Sequence, residues 1–340
     1  ILDGMVEGVI ALDGRDEILW LNERARAMFR VDDQRGRGRR VLEVIRNTDL
    51  HAVVAEARER QADVPARREL RLGEREERIV EVNALPLRLP GGETGVVAVL
   101  HDVSELRRLE QVRTEFVANV SHELRTPLTA IQGYVETLLG GAIAEPENAQ
   151  RFLEIVLRHT ERLGRLLGDL ADLSNIELGK LALRLAETKL APIVESVLEI
   201  TWPRAESGRV ALEAHVPDAL PPVYADHDRV AQILINLVDN AVKYTPPGGR
   251  VSVSAAVVAG PAVEVSVRDS GVGISSADLP RVTERFYRVD KARSRELGGT
   301  GLGLAIVKHL VAAHGGNLQL ESELGRGTLV RFTLPVATRT

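Results

Sequence analysis

The chain has 340 residues, and at roughly 150 residues per domain this length predicts two or three domains. Hydrophobic residues make up 44% and charged residues 27%, which excludes a wholly disordered or collagen-like chain. Cysteine is absent, so disulfides, thiolate metal sites and thiol nucleophiles are excluded, and the net charge of -5 argues against a broad nucleic-acid surface.

The first hundred residues alternate between strand-like and helix-like patterns. Two apolar runs flank the turn Asp13-Gly14, which predicts a β-hairpin. Asn22 is placed to cap a short helix, and residues 41–60 have the pattern of a longer one. We interpret residues 1–103 as a mixed α and β domain that closes on three strand-like runs, at 69–72, 79–89 and 96–101.

A stretch with helical periodicity follows. Apolar residues recur every three, four or seven positions between Leu106 and Leu138, with one stutter, as in helices that pack along a seam. After a glycine-rich loop, residues 147–176 repeat this spacing. Two helices by themselves cannot bury both of their apolar seams. We therefore expect residues 104–180 to form a helical hairpin that pairs with a second copy of the chain as a four-helix bundle. A hairpin packed on the neighbouring domains is the alternative.

Residues 181–340 form a third region in which helices alternate with strands. The class that this pattern predicts is an α/β sandwich with a mostly antiparallel sheet. Helices are predicted at 190–199, 229–244 and 302–314, and strands at 251–258, 262–269, 317–323 and 328–335.

One histidine of the first long helix is predicted to face away from the apolar seam. At about 100° per residue, His122 lies about 200° from both Val120 and Leu124, so it should face solvent. Glu123 is adjacent, and Pro127 should bend the helix just after His122. An exposed imidazole beside a carboxylate can act as a nucleophile, although a solvated surface histidine is the commoner explanation of such a residue taken alone.

Three segments of the last region together predict a nucleotide site without a P-loop. The glycine-rich run 298–304 opens a helix, where backbone N–H groups can cradle phosphate. Asn236 and Asn240 lie one helical turn apart, and their amide oxygens suit Mg²⁺, while Lys243 can offset phosphate charge. Asp269 ends a strand, where its carboxylate can accept a hydrogen bond from an adenine amino group or simply form a turn.

These motifs, in this order, resemble the sensor histidine kinases of two-component signalling from about residue 103 to 335. The boxes of that family are matched around His122 (H box), at 236–244 (N box), 269–273 (first glycine box), 284–288 (F box) and 299–304 (second glycine box). The ATP-binding part is similar to gyrase, Hsp90 and MutL. Residues 1–103 resemble a PAS sensor domain, and the whole order is most similar to the phosphate-regulon sensor kinases.

The resemblance implies a role for each matching residue. His122 would be the phosphoacceptor, Glu123 its acid/base partner, and Thr126 would orient water when the kinase acts as a phosphatase. Asn240 would hold Mg²⁺, and Arg288 would reach the phosphates. The other residues implied in nucleotide binding are Asn236, Lys243, Tyr244 at the adenine pocket, Asp269 at the adenine amino group, Gly271, Gly273, Gly299, Thr300, Gly301, Leu302 and Gly303.

The resemblance also implies an activity. The chain would phosphorylate itself on His122, using ATP and Mg²⁺, and pass the phosphoryl group to an aspartate in the receiver domain of a separate response regulator. Residues 281–298 would form a mobile lid over ATP. The alternatives are an ATP-driven conformational clamp of the gyrase or Hsp90 class and a non-catalytic signalling scaffold.

No run in the sequence approaches the about 18 apolar residues of a membrane-spanning helix. The chain begins at Ile1, and the resembling kinases usually carry membrane segments upstream. We therefore interpret it as the cytoplasmic portion of a membrane-anchored bacterial sensor kinase, which would meet the membrane only through a missing upstream segment. Nucleic acid is not expected as a partner.

Overall fold

A computed structural model of the chain describes residues 5–31, 36–59, 64–73, 78–290 and 299–337. The chain divides into two compact units, Ile1–Glu115 and Phe116–Thr340. Each unit contains a cluster of buried apolar side chains of its own. Within the described ranges, no helix is both long enough and apolar enough to span a bilayer.

The first unit is built on a five-stranded antiparallel sheet in the order β2-β1-β5-β4-β3. Its strands are β1 (Gly8–Leu12), β2 (Ile18–Leu21), β3 (Ala66–Leu72), β4 (Arg78–Arg88) and β5 (Thr94–Asp102). The predicted hairpin at Asp13-Gly14 is confirmed, as are the three closing strands. Along β4, Val80, Val82 and Ala84 are fully buried, because alternate residues of a strand face the same side of the sheet.

Among the described residues, short helices accompany this sheet at α1 (Glu23–Phe29), α2 (Val41–Val44) and α3 (Thr48–Glu59). The prediction of one helix over 41–60 is wrong, because the chain leaves the helix at Ile45 and starts another at Thr48. Asn47 accounts for the restart, since its side-chain Oδ1 accepts a hydrogen bond from the backbone N–H of Leu50 at 2.9 Å.

Asn22 caps α1 as predicted, and it also ties that helix to the sheet. Its Oδ1 accepts hydrogen bonds from the backbone N–H of Ala25 at 2.8 Å and of Val9 at 2.9 Å. Its Nδ2 donates to the carbonyl of Glu7 at 2.8 Å. Asn22 is completely buried, so these bonds satisfy the polar atoms of its side chain, which water does not reach.

The second unit contains most of the long helix α4 (Ser104–Leu139), followed by α5 (Pro146–Glu177), with a single 3₁₀ turn between them at Ala142–Ala144. The predicted helices end within one residue of these bounds. Pro127 lies inside an unbroken helix and is buried; the bend predicted there stays a prediction. Several large apolar side chains of the two helices are exposed in the single chain: Leu106, Leu109, Val117, Leu128, Leu139, Leu153, Leu157 and Leu167.

The rest of the second unit is a sandwich of helices on a five-stranded sheet in the order β11-β12-β10-β9-β7. The helices are α6 (Leu190–Gly208), α7 (His227–Tyr244) and α8 (Gly303–Ala313), and the strands are β7 (Ala211–His215), β9 (Arg250–Val258), β10 (Ala262–Asp269), β11 (Leu318–Glu323) and β12 (Gly327–Pro335). Only the β7–β9 pair is parallel among the described pairs of this sheet, so the predicted mostly antiparallel sandwich is confirmed. Two short strands, β6 (Ala186–Thr188) and β8 (Val223–Ala225), form a separate pair that we did not predict.

The helices of the sandwich share one apolar core with the sheet. Ile233 and Leu234 of α7, Ile306 and Leu310 of α8, and Phe332 of β12 are all fully buried in it. The buried residues of α7 and α8 are spaced one or four positions apart, as expected for one face of an α-helix. The same helical periodicity of apolar residues predicted both helices from the sequence.

Replacing Asn22 by Ala should lower the free energy of unfolding of the first unit by about 2–3 kcal/mol, because a helix cap is lost and the N–H of Val9 is left buried without a partner. Asn47→Ala is the matched control. It removes a cap from a partly exposed site and should cost about 1 kcal/mol. Native-state hydrogen exchange of the β1 and α1 amides measures both effects. Equal losses in the two variants would contradict the role given to the Val9 bond.

Candidate functional site

His122 is exposed on α4, as its helical angle predicts. Val120 and Leu124, on the seam, are partly buried. Thr126 lies one turn further on, is exposed, and donates its Oγ1 hydrogen to the carbonyl of His122 at 3.1 Å. The imidazole is therefore open to a reactant, with a hydroxyl group one turn away.

Glu123, next to His122, lies at the centre of a buried charge cluster. Its Oε2 accepts hydrogen bonds from Nη2 of Arg162 at 2.9 Å and from Nη2 of Arg288 at 3.0 Å. The exposed fractions of the three side chains are 15%, 11% and 6%, in the order Glu123, Arg162, Arg288. Nε of Arg288 is also buried, and it has no hydrogen-bond partner among the described residues. With two guanidinium groups to one carboxylate, the cluster carries an excess of positive charge.

The second glycine loop is held by close backbone approach. Gly301 has a φ of +74°, and a Cβ there would lie 2.9 Å from Cα of Phe286. The N–H of Phe286 donates to the carbonyl of Gly301 at 2.9 Å. At Gly303, where α8 begins, a Cβ would lie 2.7 Å from Oδ1 of Asn236. Only glycine allows the loop to approach α7 and the F box this closely.

Thr300 of the same loop contacts the helical hairpin. Its Oγ1 donates to Oδ2 of Asp169, on α5, at 2.9 Å. Burial raises the pKa of the Asp169 carboxyl group. The hydrogen bond from Thr300 lowers that pKa, but its effect is smaller than that of burial. Thr300 and Arg288, both implied in nucleotide binding, are thus bonded to carboxylates of the hairpin in this structure.

Helix α7 places the four N-box side chains along one stripe. Asn236 donates its Nδ2 hydrogen to the carbonyl of Gln232 at 3.0 Å, and Asn240 is partly buried one turn later. Nζ of Lys243 lies 4.9 Å from the ring centroid of Tyr244. Burial lowers the pKa of Lys243, because desolvation disfavours its charged form.

The start of α7 is fixed by a buried aspartate. The side chain of Asp226 caps the helix by accepting from the N–H groups of Asp228 and Arg229, and its Oδ2 accepts from the N–H of Arg184 at 2.8 Å. The backbone N–H of Asp226 donates to Nε2 of the buried His314 at 3.1 Å. The N-box helix therefore cannot shift without breaking bonds to the end of α8.

Asp269, in the first glycine box, is held by two backbone groups. Its Oδ1 accepts from the N–H of Gly271 at 2.8 Å and of Thr328 at 3.1 Å. Burial raises the pKa of this carboxyl group, and the two hydrogen bonds, which lower the pKa, offset only part of that rise. A Cβ on Gly271 would lie 2.5 Å from the carbonyl oxygen of Tyr244, and Gly273 has a φ of +69°. The strand end is thus tightly fitted against the end of α7.

Sequence reasoning missed three polar residues of α5, of which two bond to the sandwich and one to Glu123. They are Arg162, Asp169 and Asp172; the last accepts from Nη1 of Arg229 at 3.0 Å and from Nε2 of Gln232 at 2.6 Å. Arg162 and Asp169 are seven residues apart and so share one helix face. This seven-residue spacing of polar residues could have indicated a polar contact face on α5, but the prediction used only the apolar residues of that helix.

The residues present fit a magnesium–nucleotide complex. The Nε of Arg288, which is buried without a partner among the described residues, is a donor for an anion. Among the described residues, no group of three or more His, Cys, Asp or Glu side chains is placed to hold a metal. Asn240 would thus need phosphate oxygens to complete a magnesium site, as Mg²⁺ commonly does. Residues 291–298 of the predicted lid lie outside the described residues.

Three family profiles match the chain in sequence order. A "PAS fold" profile matches residues 2–108, the "His Kinase A (phospho-acceptor) domain" matches 112–179, and the "Histidine kinase-, DNA gyrase B-, and HSP90-like ATPase" matches 225–338. The sensor histidine kinase WalK of Bacillus subtilis is 42% identical over 242 residues, which cover 71% of this chain and 39% of WalK.

Two solved structures are similar to the chain. Full-length ShkA, in complex with AMPPNP, is 32% identical, has a TM-score of 0.51, and is matched over 66% of this chain and 46% of ShkA. The second is the histidine kinase ThkA in complex with the response regulator protein TrrA. The match covers 99% of this chain and 97% of the ThkA chain, with a TM-score of 0.53. The two sequences are 22% identical, so this similarity shows the fold alone.

The chain spans about two fifths of the length of the curated relatives that it matches. These relatives do not test the narrower likeness to phosphate-regulon sensors, which stays a prediction. The profiles, the curated relatives and the fold nevertheless point to one family: the chain belongs to the sensor histidine kinases of two-component systems.

Proposed function

We propose that this chain phosphorylates itself on His122 with ATP and then passes the phosphoryl group to an aspartate of a separate response regulator. One observation carries the proposal. The residue beside His122, Glu123, accepts a hydrogen bond at 3.0 Å from Arg288, which belongs to the ATP-binding sandwich. The sandwich therefore contacts the helical turn that carries His122, and phosphoryl transfer needs the nucleotide and the imidazole to come close together.

Each of the three regions of the chain has its own role in the proposed function. Residues 1–103 would act as the PAS-type sensor domain, 104–180 as the dimerisation and phosphotransfer hairpin, and 181–340 as the ATP-binding domain. The exposed apolar side chains of α4 and α5 support a homodimer through the hairpin, since a second copy would bury them in a four-helix bundle. Because ATP is a cytoplasmic substrate, we propose that this portion of the kinase acts in the cytoplasm.

The transfer needs a neutral imidazole. The lone pair of one ring nitrogen of His122 attacks the γ-phosphorus, a P–N bond forms, and the P–O bond to ADP breaks. The other ring nitrogen then gives up its proton, for which the Glu123 carboxylate is the nearest acceptor in sequence. Lys243 and Arg288 offset the negative charge on the phosphates. When bound, Mg²⁺ at Asn240 would neutralise further phosphate charge.

The nucleotide would be oriented by the glycine boxes. Oδ1 of Asp269 is used by the backbone of Gly271 and Thr328, and Oδ2 carries no hydrogen bond within the part of the chain that the structure describes. Oδ2 is therefore an acceptor for the adenine amino group, with Tyr244 beside it. The AMPPNP bound to the related ShkA supports a nucleotide in this fold.

The phosphatase reaction, in which water hydrolyses the aspartyl phosphate of the regulator, would use the same hairpin. Thr126 is exposed one turn from His122, where its hydroxyl can orient a water against the aspartyl phosphate of the regulator. The complex of ThkA with TrrA supports a response regulator as the partner.

Incubation with γ-labelled ATP and Mg²⁺ tests the proposal. The wild type should acquire label that survives alkali and is lost in acid, as phosphohistidine does. His122→Ala should acquire none while it binds AMPPNP as tightly as the wild type, because His122 is exposed and its side chain makes no hydrogen bond to the described part of the sandwich. ATP hydrolysis without label would favour the clamp, and loss of both would favour a scaffold.

Asp269→Asn should separate nucleotide affinity from stability. The amide keeps Oδ1 for its two backbone bonds but presents an N–H to the adenine amino group, so the Kd for AMPPNP should rise by at least about tenfold. Calorimetric titration at pH 7 measures it. An unchanged Kd would contradict the adenine contact.

The stability of that same variant should depend on pH in a defined way. Burial raises the pKa of Asp269, so this group's contribution to stability is full below about pH 3.9 and is lost as the pH rises through its folded-state pKa. The Asn side chain avoids this loss. At pH 7 the variant should therefore be at least as stable to urea as the wild type, with a difference that shrinks towards pH 4.

Asp169→Asn should strengthen nucleotide binding by about fivefold, because a hydrogen bond to a charged carboxylate holds Thr300 more firmly than one to an amide. Asp172→Asn is the matched control on the same helix face, since its hydrogen bonds to the described residues go to Arg229 and Gln232 and not to Thr300. Its AMPPNP affinity should not change. Equal gains in both variants would mean that the whole contact of α5 with the sandwich is released, and no gain for Asp169→Asn would contradict competition at Thr300.

A further inference from the structure

The ion pair between Arg162 and Glu123 is more buried than most of the ion pairs among the described residues. The two side chains lie 39 residues apart on α4 and α5, and both are nearly buried, at 11% and 15% exposure. By contrast, the two partners of the Arg326–Glu323 pair are 77% and 63% exposed. Exposed pairs contribute little, whereas a buried carboxylate that loses its partner is left strongly destabilised.

Glu123 has a second partner in Arg288, but the two arginines are not equivalent. Arg288 belongs to the ATP-binding sandwich, and the proposed function requires it at the phosphates. Its 3.0 Å bond to Glu123 is made by Nη2, and that bond would be lost if Arg288 turned to the phosphates. Arg162 lies on the same helical hairpin as Glu123, so its bond to the carboxylate does not depend on where Arg288 is.

The surroundings of the pair are otherwise cationic. Arg165 lies one turn from Arg162 on α5, Lys243 faces the cluster from α7, and His159 lies beside it on α5. Burial lowers the pKa of His159, and Arg162 contributes to that lowering. Burial likewise lowers the pKa of Lys243, with smaller contributions from Arg288 and Arg162. Removal of Arg162 thus leaves other positive charges near Glu123, but none is hydrogen-bonded to it from the hairpin within the described ranges.

We propose that Arg162 is a positioning residue for the phosphotransfer reaction: it holds the Glu123 carboxylate in place beside His122 when Arg288 turns to the phosphates. The inference rests on the proposed function. Arg162 touches none of the reacting atoms; it acts through Glu123. A guanidinium suits this task because it is planar and permanently charged, and its fixed fork orients a carboxylate better than the single point charge of lysine.

Arg162→Gln should lower the kcat of autophosphorylation by roughly tenfold or more, as part of the 10²–10⁴-fold that an acid–base group supplies, and leave the KM for ATP within about twofold of the wild type. Arg162→Lys should recover part of the rate. Arg158→Gln is the matched control, since Arg158 is exposed one turn earlier on α5, and its rate should be unchanged. Labelling with γ-labelled ATP at varied ATP concentration gives all four sets of constants, with circular dichroism as the check of folding.

A double-mutant cycle separates positioning from a merely structural role. If Arg162 acts through Glu123, then Arg162→Gln should cause no further loss of rate in the Glu123→Gln background. An equal loss in both backgrounds would overturn the inference, as would an unchanged rate for Arg162→Gln alone. A wild type that acquires no phosphohistidine would overturn the proposed function and the inference with it, whereas a labelled wild type with an unaffected Arg162→Gln variant overturns only the inference.

Discussion

The carboxylate of Glu123 is bonded to guanidinium groups from two separate parts of the second unit, and the candidate site depends on this buried contact. Taking three charges out of water is costly, and it is tolerated only where the geometry is good and the charges are matched. Here they are not fully matched, because two arginines share one carboxylate and Nε of Arg288 is buried with no partner in the part of the chain that the structure describes. A phosphate group is an anion of the right size and charge to complete such a cluster.

Glycine sets the distances at which the nucleotide loops pack. At Gly271 a Cβ would collide with the end of α7, and at Gly301 with the F box. At Gly303 it would collide with Asn236, an N-box residue. The motifs recognised in the sequence as separate boxes are thus in direct contact, and the glycines are the positions at which any side chain would push them apart.

Periodic and local features could be predicted from the sequence, and contacts between distant segments could not. The exposure of His122 follows from a helical angle, and the cap at Asn22 follows from one residue type before an apolar pattern. The restart of the helix at Thr48 was missed, because Asn47 was not considered as a cap. The bond between Thr300 and Asp169 joins residues 131 positions apart, and neither side chain carries a local signal for it.

The contact between the hairpin and the sandwich combines apolar packing with exchangeable charge pairs. Leu166 and Leu173 of α5 are buried in the core that they share with the sandwich, and this packing does not depend on nucleotide. The bonds of Thr300 and Arg288, in contrast, go to carboxylates. Exchange of a carboxylate for a phosphate replaces one charge-assisted hydrogen bond by another of the same kind, so the free energy of the exchange should be small in either direction. A site built in this way can pass between the two arrangements without unfolding either part, which is what a kinase under the control of a sensor domain requires.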